Sequence, residues 1–305
     1  MDRFVVSRHD DGRRLDKVIR KKWPSLPLGA MMKAFRKKQV RVDGARAYFD
    51  QRLVEGQEVL VPWESAPTDV GAKRTGGHLV TVYRDESLWV VSKPAGLLSQ
   101  PDRKGGDSVV TRAFLPESSF QPQAVNRLDR NTSGIMVLAL TGESLRGLSS
   151  YWRDGEMEKV YLALVVGDLP EEGKIDAPLS KDGSSNKVFV DSKGQSSMTL
   201  YRRLASGGGL SLCLVTLITG RSHQIRVHMS HIGHPVLGDV KYGDRAINGV
   251  KGAKRPMLHA FSVSFPEMSG DLSSLSSKTF RAPIPEDMAD MCSKNGIVPD
   301  RAFLR

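Results

Sequence analysis

Cysteine is scarce in this chain: only Cys213 and Cys292 occur in 305 residues, far apart and outside any C-x-x-C pair. That argues against a disulfide framework and fits a reducing compartment. No apolar run approaches membrane-spanning length, and the opening MDRFVVSRHDDGRRL lacks the apolar core of a signal peptide. The expectation is a soluble, cytoplasmic protein with no membrane partner. Nucleotide-binding signatures are missing too: no Gly-x-Gly-x-x-Gly follows a strand-like run, no Walker loop occurs, and no repeat period is visible. Regular alternation of strands with long helices is also lacking, which argues against a doubly wound fold.

What is present is a chain long enough for two domains, or for one large domain with an appendage. With 39% hydrophobic and 26% charged residues it can bury a sizeable core. The net charge of +11 is concentrated. Between Arg13 and Arg46 there are twelve Lys or Arg and two Asp, a net +10, which leaves +1 for the remainder. A positive field this confined is expected of a surface that meets the phosphates of nucleic acid.

In that basic stretch Leu15, Val18 and Ile19 follow helical spacing, and Pro24 stops the helix. A second short helix is expected to carry Met31, Met32 and Phe35 inward, with Lys33, Arg36 and Lys37 toward solvent. Val40-Arg-Val-Asp-Gly44 reads as a strand entering a hairpin turn, and Leu53, Val54 and Val59 to Val61 supply further strand material. The expectation is a module of two helices followed by a small sheet. The Arg14–Ile19 segment, the basic second helix, the Val40–Gly44 turn and the closing Gly56–Val61 together resemble the S4 RNA-binding domain. That resemblance implies RNA contacts from Lys17, Lys33, Arg36 and Lys37.

Residues 62–78 mix Pro, Gly, Ser and Thr without hydrophobic periodicity and read as a linker. Beyond them short strand-like runs recur at Leu88–Val91, Ile135–Leu140, Val160–Val166 and Leu210–Leu217, with few helical candidates between. This predicts an α+β domain with a mixed, mainly antiparallel sheet.

Three segments of this domain carry candidate chemistry. Asp129 lies in a polar loop between Arg127 and Arg130, and a Thr132-Ser133-Gly134 turn leads into the apolar run at 135–140. A loop held by a buried strand suits a fixed functional group. Thr219 to Pro235 predicts a helix capped by Ser222 and ended by Gly233 and Pro235, with Ile225, Met229 and Ile232 buried and His223 and Arg226 together on its first turn. Its histidines at 223, 228, 231 and 234 invite a metal site, but no H-E-x-x-H, nearby cysteine or acidic partner supports one. Hydrogen-bonded or RNA-facing imidazoles fit better. Lys159 and Tyr161 share one face of a strand, where a ring to stack on a base would stand beside a cation.

The chain resembles the RluA-type pseudouridine synthases. The matching segments, in order, are Lys93–Leu97, Arg127-Leu128-Asp129 with Thr132-Ser133-Gly134, Lys159-x-Tyr161-x-Ala163, Thr219–His228 continued by Gly233-His234-Pro235 and Gly238-Asp239, and Leu258-His259-Ala260. The resemblance implies isomerisation of uridine to pseudouridine in RNA, with large-subunit ribosomal RNA as partner and no cofactor; a monomer is the default expectation. It implies Asp129 as the catalytic carboxylate, Arg226 as the ion-pair partner that orients it, and Tyr161 stacked on the base. It also assigns Arg127, Arg130, Lys159, Arg221, His223 and Gln224 to RNA binding. The domains would be 1–62, an S4-like RNA-binding domain; 63–78, a linker; and 79–305, the catalytic domain.

There is one departure: the family commonly has His before Arg-Leu-Asp, and Asn126 stands there instead. Two other readings differ in class. A non-catalytic S4-type RNA-binding or ribosome-assembly factor would not need the Arg-Leu-Asp and His-Gln-Ile-Arg segments that are intact here. A hydrolase usually needs two cooperating carboxylates or a metal-bound water, and no second carboxylate stands in a comparable loop.

Overall fold

The computed structural model describes residues 1–23, 26–63, 77–102, 105–116, 118, 120–183 and 185–298. The chain forms two compact units, the first built chiefly from residues 1–63 and the second from residue 77 onward.

In the first unit, strand β1 (Asp2–Val5) is followed by helices α1 (Leu15–Lys22) and α2 (Leu28–Arg36) and strands β2 (Arg41–Val42), β3 (Ala45–Arg46) and β4 (Glu58–Val61). The strands form an antiparallel sheet in the order β1-β4-β2-β3. Leu15, Val18 and Ile19 of α1 are fully buried against Val40, Val59 and Val61. Burying each such side chain contributes roughly 1.5–3 kcal/mol, and this holds two short helices that would not persist alone.

The structure corrects the expected module in several places. It begins with a strand, because Asp2–Val5 pairs with the distant Glu58–Val61. The inward face of α2 is Met31, Ala34 and Phe35, while Met32 is exposed, since i, i+3, i+4 spacing turns residue 32 outward. Leu53 is buried and Val54 exposed, and neither belongs to a strand. Pro24 and most of the linker segment, residues 64–76, lie outside the described residues.

The second unit contains strands β5 (Val80–Arg84) and β6 (Leu88–Lys93), helix α3 (Val109–Arg112), strands β7 (Gln123–Ala124) and β8 (Ser133–Ala139), and helix α4 (Gly142–Arg153). Strands β9 (Glu158–Val166), β10 (Glu172–Asp176), β11 (Leu179–Lys181), β12 (Val188–Val190), β13 (Met198–Gly207) and β14 (Leu210–Leu217) follow. The chain continues through helices α5 (Gln224–His231) and α6 (Arg245–Lys251), strands β15 (Leu258–Ser264) and β16 (Thr279–Arg281), and helix α7 (Glu286–Lys294). The main sheet runs β10-β13-β14-β9-β15-β8-β6-β5, with β16 added beside β15 and β7 beside β8. Every pairing in it is antiparallel except that of β15 with β8. The fold is therefore α+β with a mixed, mainly antiparallel sheet.

All seven residues of β8 are buried, which explains its nearly continuous apolar sequence. Ile135, Val137 and Ala139 enter a core with Leu148 of α4, while Met136 and Leu138 enter another with Leu128, Val109 and Ala260. Farther along the sheet Ala163, Val165 and Val215 pack against Ile225 and Met229 of α5. Tyr161 touches both of the latter cores and so stands where they meet.

The expected turn at 132–134 is shorter than the sequence suggested. Ser133 and Gly134 already belong to β8, opposite His259 and Ala260 of β15. Gly134 has a φ of +116°, and a Cβ there would lie 2.2 Å from the Ala260 carbonyl oxygen. Only glycine permits this close parallel seam. The seam fixes where the polar loop ahead of β8 is delivered.

Candidate active site

That loop, residues 126–132, is held at several points. Ser99 Oγ accepts from Leu128 N at 2.9 Å and donates to Leu128 O at 2.8 Å. Asn126 is buried; its Oδ1 accepts from Val137 N at 2.8 Å, and its Nδ2 donates to Ile135 O at 3.4 Å. Its amide thus serves the edge of β8 as a neighbouring peptide would.

The third fixture is Lys93. Its fully buried ammonium donates to the carbonyl oxygens of Pro94, Leu97 and Arg130 at 2.9, 2.7 and 2.9 Å. Burial lowers its pKa from 10.5 to about 7, with the charge of Asp129 opposing the fall. Arg130 O also accepts from Gly96 N at 2.9 Å, and Arg130 Nε returns a bond to Gly96 O at 3.1 Å. The Lys93–Leu97 turn and the Asp129 loop are therefore one rigid piece.

Asp129 is partly exposed at the lip of this loop. Arg226 Nη1 donates to its Oδ2 at 2.9 Å, across 97 residues of chain. Oδ1 has no hydrogen-bond partner among the described residues. Arg226 is fixed from its other side by Asp239, whose side chain is 0% exposed; Nε and Nη2 reach Oδ2 and Oδ1 at 2.6 and 2.9 Å. Desolvation works against the Arg226 charge, but Asp239 and then Asp129 outweigh it and hold its pKa above the ordinary value. Burial would raise the Asp239 pKa, and the Arg226 bonds with those from Lys241 N and Tyr242 N bring it below the usual range. The fork geometry of guanidinium suits this bidentate grip, which lysine cannot reproduce.

Helix α5 presents Arg226, but its start differs from expectation. His223, not Ser222, is the N-cap, and it has a left-handed φ of 55° with no side-chain cap. Gln224 does the work of the cap: its Oε1 accepts from Arg221 N at 2.9 Å and Thr219 Oγ1 at 2.8 Å. Its Nε2 donates to Met198 O and Thr199 Oγ1. At 2% exposure, with both ends of its amide engaged, Gln224 braces the 219–223 loop, and both of its amide N–H groups are used within the protein.

The strained backbone at His223 turns its imidazole toward Asp129, with Nε2 3.8 Å from Oδ2. Tyr242 Oη accepts from Val188 N at 2.9 Å and lies 2.8 Å from His223 Nδ1. All the groups are satisfied when Tyr242 donates to Nδ1, which leaves the imidazole proton on Nε2, facing the carboxylate. Desolvation lowers the His223 pKa, against the pull of Asp129. Of the remaining histidines, His228 is buried among Thr199, Ser197 and Ala177, His234 bonds Val166 O, and His231 is exposed.

These groups surround a cavity of about 440 Å³, lined by Asn126, Arg127, Asp129, Lys159, Tyr161, Arg221, His223, Gln224 and Arg226, among others. A second cavity of about 460 Å³ meets it at Asp129, Lys181 and Arg226 and adds Arg130 and Lys241. Arg127, Arg130 and Arg221 are exposed, and Arg221 Nε donates to Ser196 O. Tyr161 is held neutral by burial, which raises its pKa. Lys17, Lys33, Arg36 and Lys37 are exposed on the first unit and line neither cavity.

Asp239, Lys93, Ser99 and Tyr242 complete the site, and sequence reasoning gave them no role. The signal for Asp239 was available, because a carboxylate inside the apolar Pro-Val-Leu-Gly-Asp stretch needs a cation once buried.

Among the described residues that line the two cavities Asp129 is the one carboxylate, aimed by an arginine beside Tyr161 and a cationic rim, an arrangement suited to an RNA nucleotide. The comparisons agree. The pattern of the RNA pseudouridylate synthase family matches residues 87–231. The chain is 33% identical over 273 residues to ribosomal large subunit pseudouridine synthase C of Vibrio cholerae, covering 83% of this chain and 85% of that one. It is 31% identical to ribosomal large subunit pseudouridine synthase D of Xanthomonas campestris, covering 95% and 91%. The structure of human RNA pseudouridylate synthase domain containing 4 shares the fold, with a TM-score of 0.60 at 23% identity, covering 72% of this chain and 95% of that one. The chain belongs to the RNA pseudouridylate synthase family.

The carboxylate–arginine–carboxylate chain predicts unequal stability losses. Arg226→Met leaves Asp239 buried without its cation and should cost about 3 kcal/mol, whereas Asp129→Asn should cost under about 1 kcal/mol. Urea denaturation of the two variants checks the order; equal losses would remove Asp239 as the anchor.

Proposed function

We propose that this protein converts uridine to pseudouridine in RNA of the large ribosomal subunit, with Asp129 as the catalytic carboxylate. The supporting observation is the Asp129–Arg226–Asp239 chain, which leaves one oxygen of Asp129 unengaged at the meeting point of two cavities. The named activity of the curated relatives on large-subunit ribosomal RNA points the same way.

The reaction breaks the C1′–N1 bond, turns the detached uracil and joins C5 to C1′. It needs no net oxidant and no phosphate energy. Arg226 orients Asp129 toward the sugar, where the free Oδ1 attacks C1′ or removes the C2′ proton. Tyr161, neutral and flanked by apolar side chains, stacks on the uracil and retains it while it turns. The target base must leave its stack to enter, and the exposed Arg127, Arg130 and Arg221 hold the distorted backbone through its phosphates. A purely RNA-binding role would give no reason for one carboxylate oxygen to be kept free beside an aromatic floor.

Residues 1–62 are assigned to an S4-like RNA-binding domain, 63–78 to a linker and 79–305 to the catalytic domain of a monomeric, cytoplasmic enzyme. The exposed Lys17, Lys33, Arg36 and Lys37 support the first assignment. No helix among the described residues is long and apolar enough to cross a membrane.

Asp129→Asn should lower pseudouridine formation more than about a thousandfold, ~4 kcal/mol of barrier, with RNA affinity nearly unchanged. Tritium release from RNA labelled at uridine C5 measures it, and release at the wild-type rate would remove Asp129 from its role. Separately, Lys33→Glu, Arg36→Glu and Lys37→Glu combined should weaken RNA binding and reduce the slope of log affinity against log salt by about 3. An unchanged slope would show that the first unit does not hold the RNA.

A further inference from the structure

Lys159 lines the Asp129 cavity from β9, on the strand face it shares with Tyr161. It is only 7% exposed, and its ammonium has no hydrogen-bond or ion-pair partner among the described residues. Desolvation alone lowers its pKa, with no charged neighbour contributing. Among the described residues the other buried cations are engaged, Lys93 by three carbonyls and Arg255 by Asp287, and the partly buried Arg226 is held by two carboxylates. The ammonium is not sealed from solvent, but one that is partly desolvated and lacks a protein partner is poorly satisfied, and a ligand entering the cavity completes it.

The surroundings indicate what that ligand is. Around Lys159 and Tyr161 the cavity is walled by Val125, Leu217, Ile225 and Leu258, a lining that suits the flat face of a base. A phosphate retains its water, and the exposed Arg127, Lys181 and Arg221 at the rim are better placed to meet one.

We propose that Lys159 is a catalytic residue whose ammonium hydrogen-bonds a carbonyl oxygen of the target uracil and stabilises the negative charge the base acquires on leaving C1′. The assignment rests on the uridine-isomerising reading above. When the C1′–N1 bond breaks, both electrons stay with N1 and the charge spreads over O2 and O4. Asp129 either bonds C1′ or takes the C2′ proton, and the base departs as the same anion in both cases. C5 then bonds C1′ as Asp129 leaves, or as it returns its proton to C2′. The C5 proton is lost and N1 gains one, so the product is an isomer. Turning the base about its N3–C6 axis exchanges O2 with O4, so a fixed donor meets a carbonyl oxygen before and after the turn. This role is more specific than the general RNA contact that the family resemblance implies for Lys159.

The test compares single-turnover loss of the intact target nucleoside in RNA carrying uridine or 5-fluorouridine, for wild type, Lys159→Met and Lys159→Arg. Fluorine withdraws electrons and stabilises the departing anion without the lysine. Lys159→Met should slow uridine conversion about 10²–10³-fold, the scale for removing a donor from a developing anion. On 5-fluorouridine the loss should be at least about tenfold smaller, on the same scale. RNA affinity should be nearly unchanged and the melting temperature unchanged or higher, because a partly desolvated, unpaired cation has been removed. Lys159→Arg should recover part of the uridine rate. Equal losses on the two substrates, or weakened binding with an unchanged rate at saturation, would overturn the proposal; the second result would make Lys159 a phosphate contact. Wild-type protein that leaves uridine intact would instead overturn the parent reading, and this assignment with it.

Discussion

Arg226 is gripped by the fully buried Asp239 and in turn grips the partly exposed Asp129. The arrangement is asymmetric, and the asymmetry is what makes it useful. Two bonds to the inner carboxylate fix the plane of the guanidinium, so the single bond to the outer one has a defined direction. Asp129 is then aimed without being fully satisfied, as a group that must react requires.

The rest of the second unit keeps the two ends of that bond in place. The parallel seam at Gly134 and Ala260 sets the start of β8, and Ser99, Asn126 and Lys93 tie down the loop ahead of it. On the opposite side, Gln224 organises the entry to α5, and Ile225 and Met229 fasten the helix to the sheet. The strain at His223 and the unpartnered ammonium of Lys159 both fall at the cavity, where a fold tolerates local cost for function.

Much of this was legible where a signal is local and apolar. The runs at 88–91, 135–140, 160–166 and 210–217 are strands because they cross a sheet covered on both faces. Ile225 and Met229 are buried as helical spacing required. Asp129 and Arg226 were paired beforehand only through family resemblance, since nothing local joins residues 97 positions apart. Non-local partners account for the misses. β1 exists because β4 pairs with it, and Gln224 is turned inward by Met198 and Thr199. Asn126, the departure from the family pattern, is explained by its bonds to β8, which need one acceptor and one donor but no charge.

The most direct test of the central claim is a pseudouridine map of all cellular RNA from cells lacking this protein and cells supplied with the wild type or Asp129→Asn. The account predicts that specific pseudouridines of large-subunit ribosomal RNA vanish without the protein and return only with the wild type. A map that does not change, or one restored equally by Asp129→Asn, would contradict it.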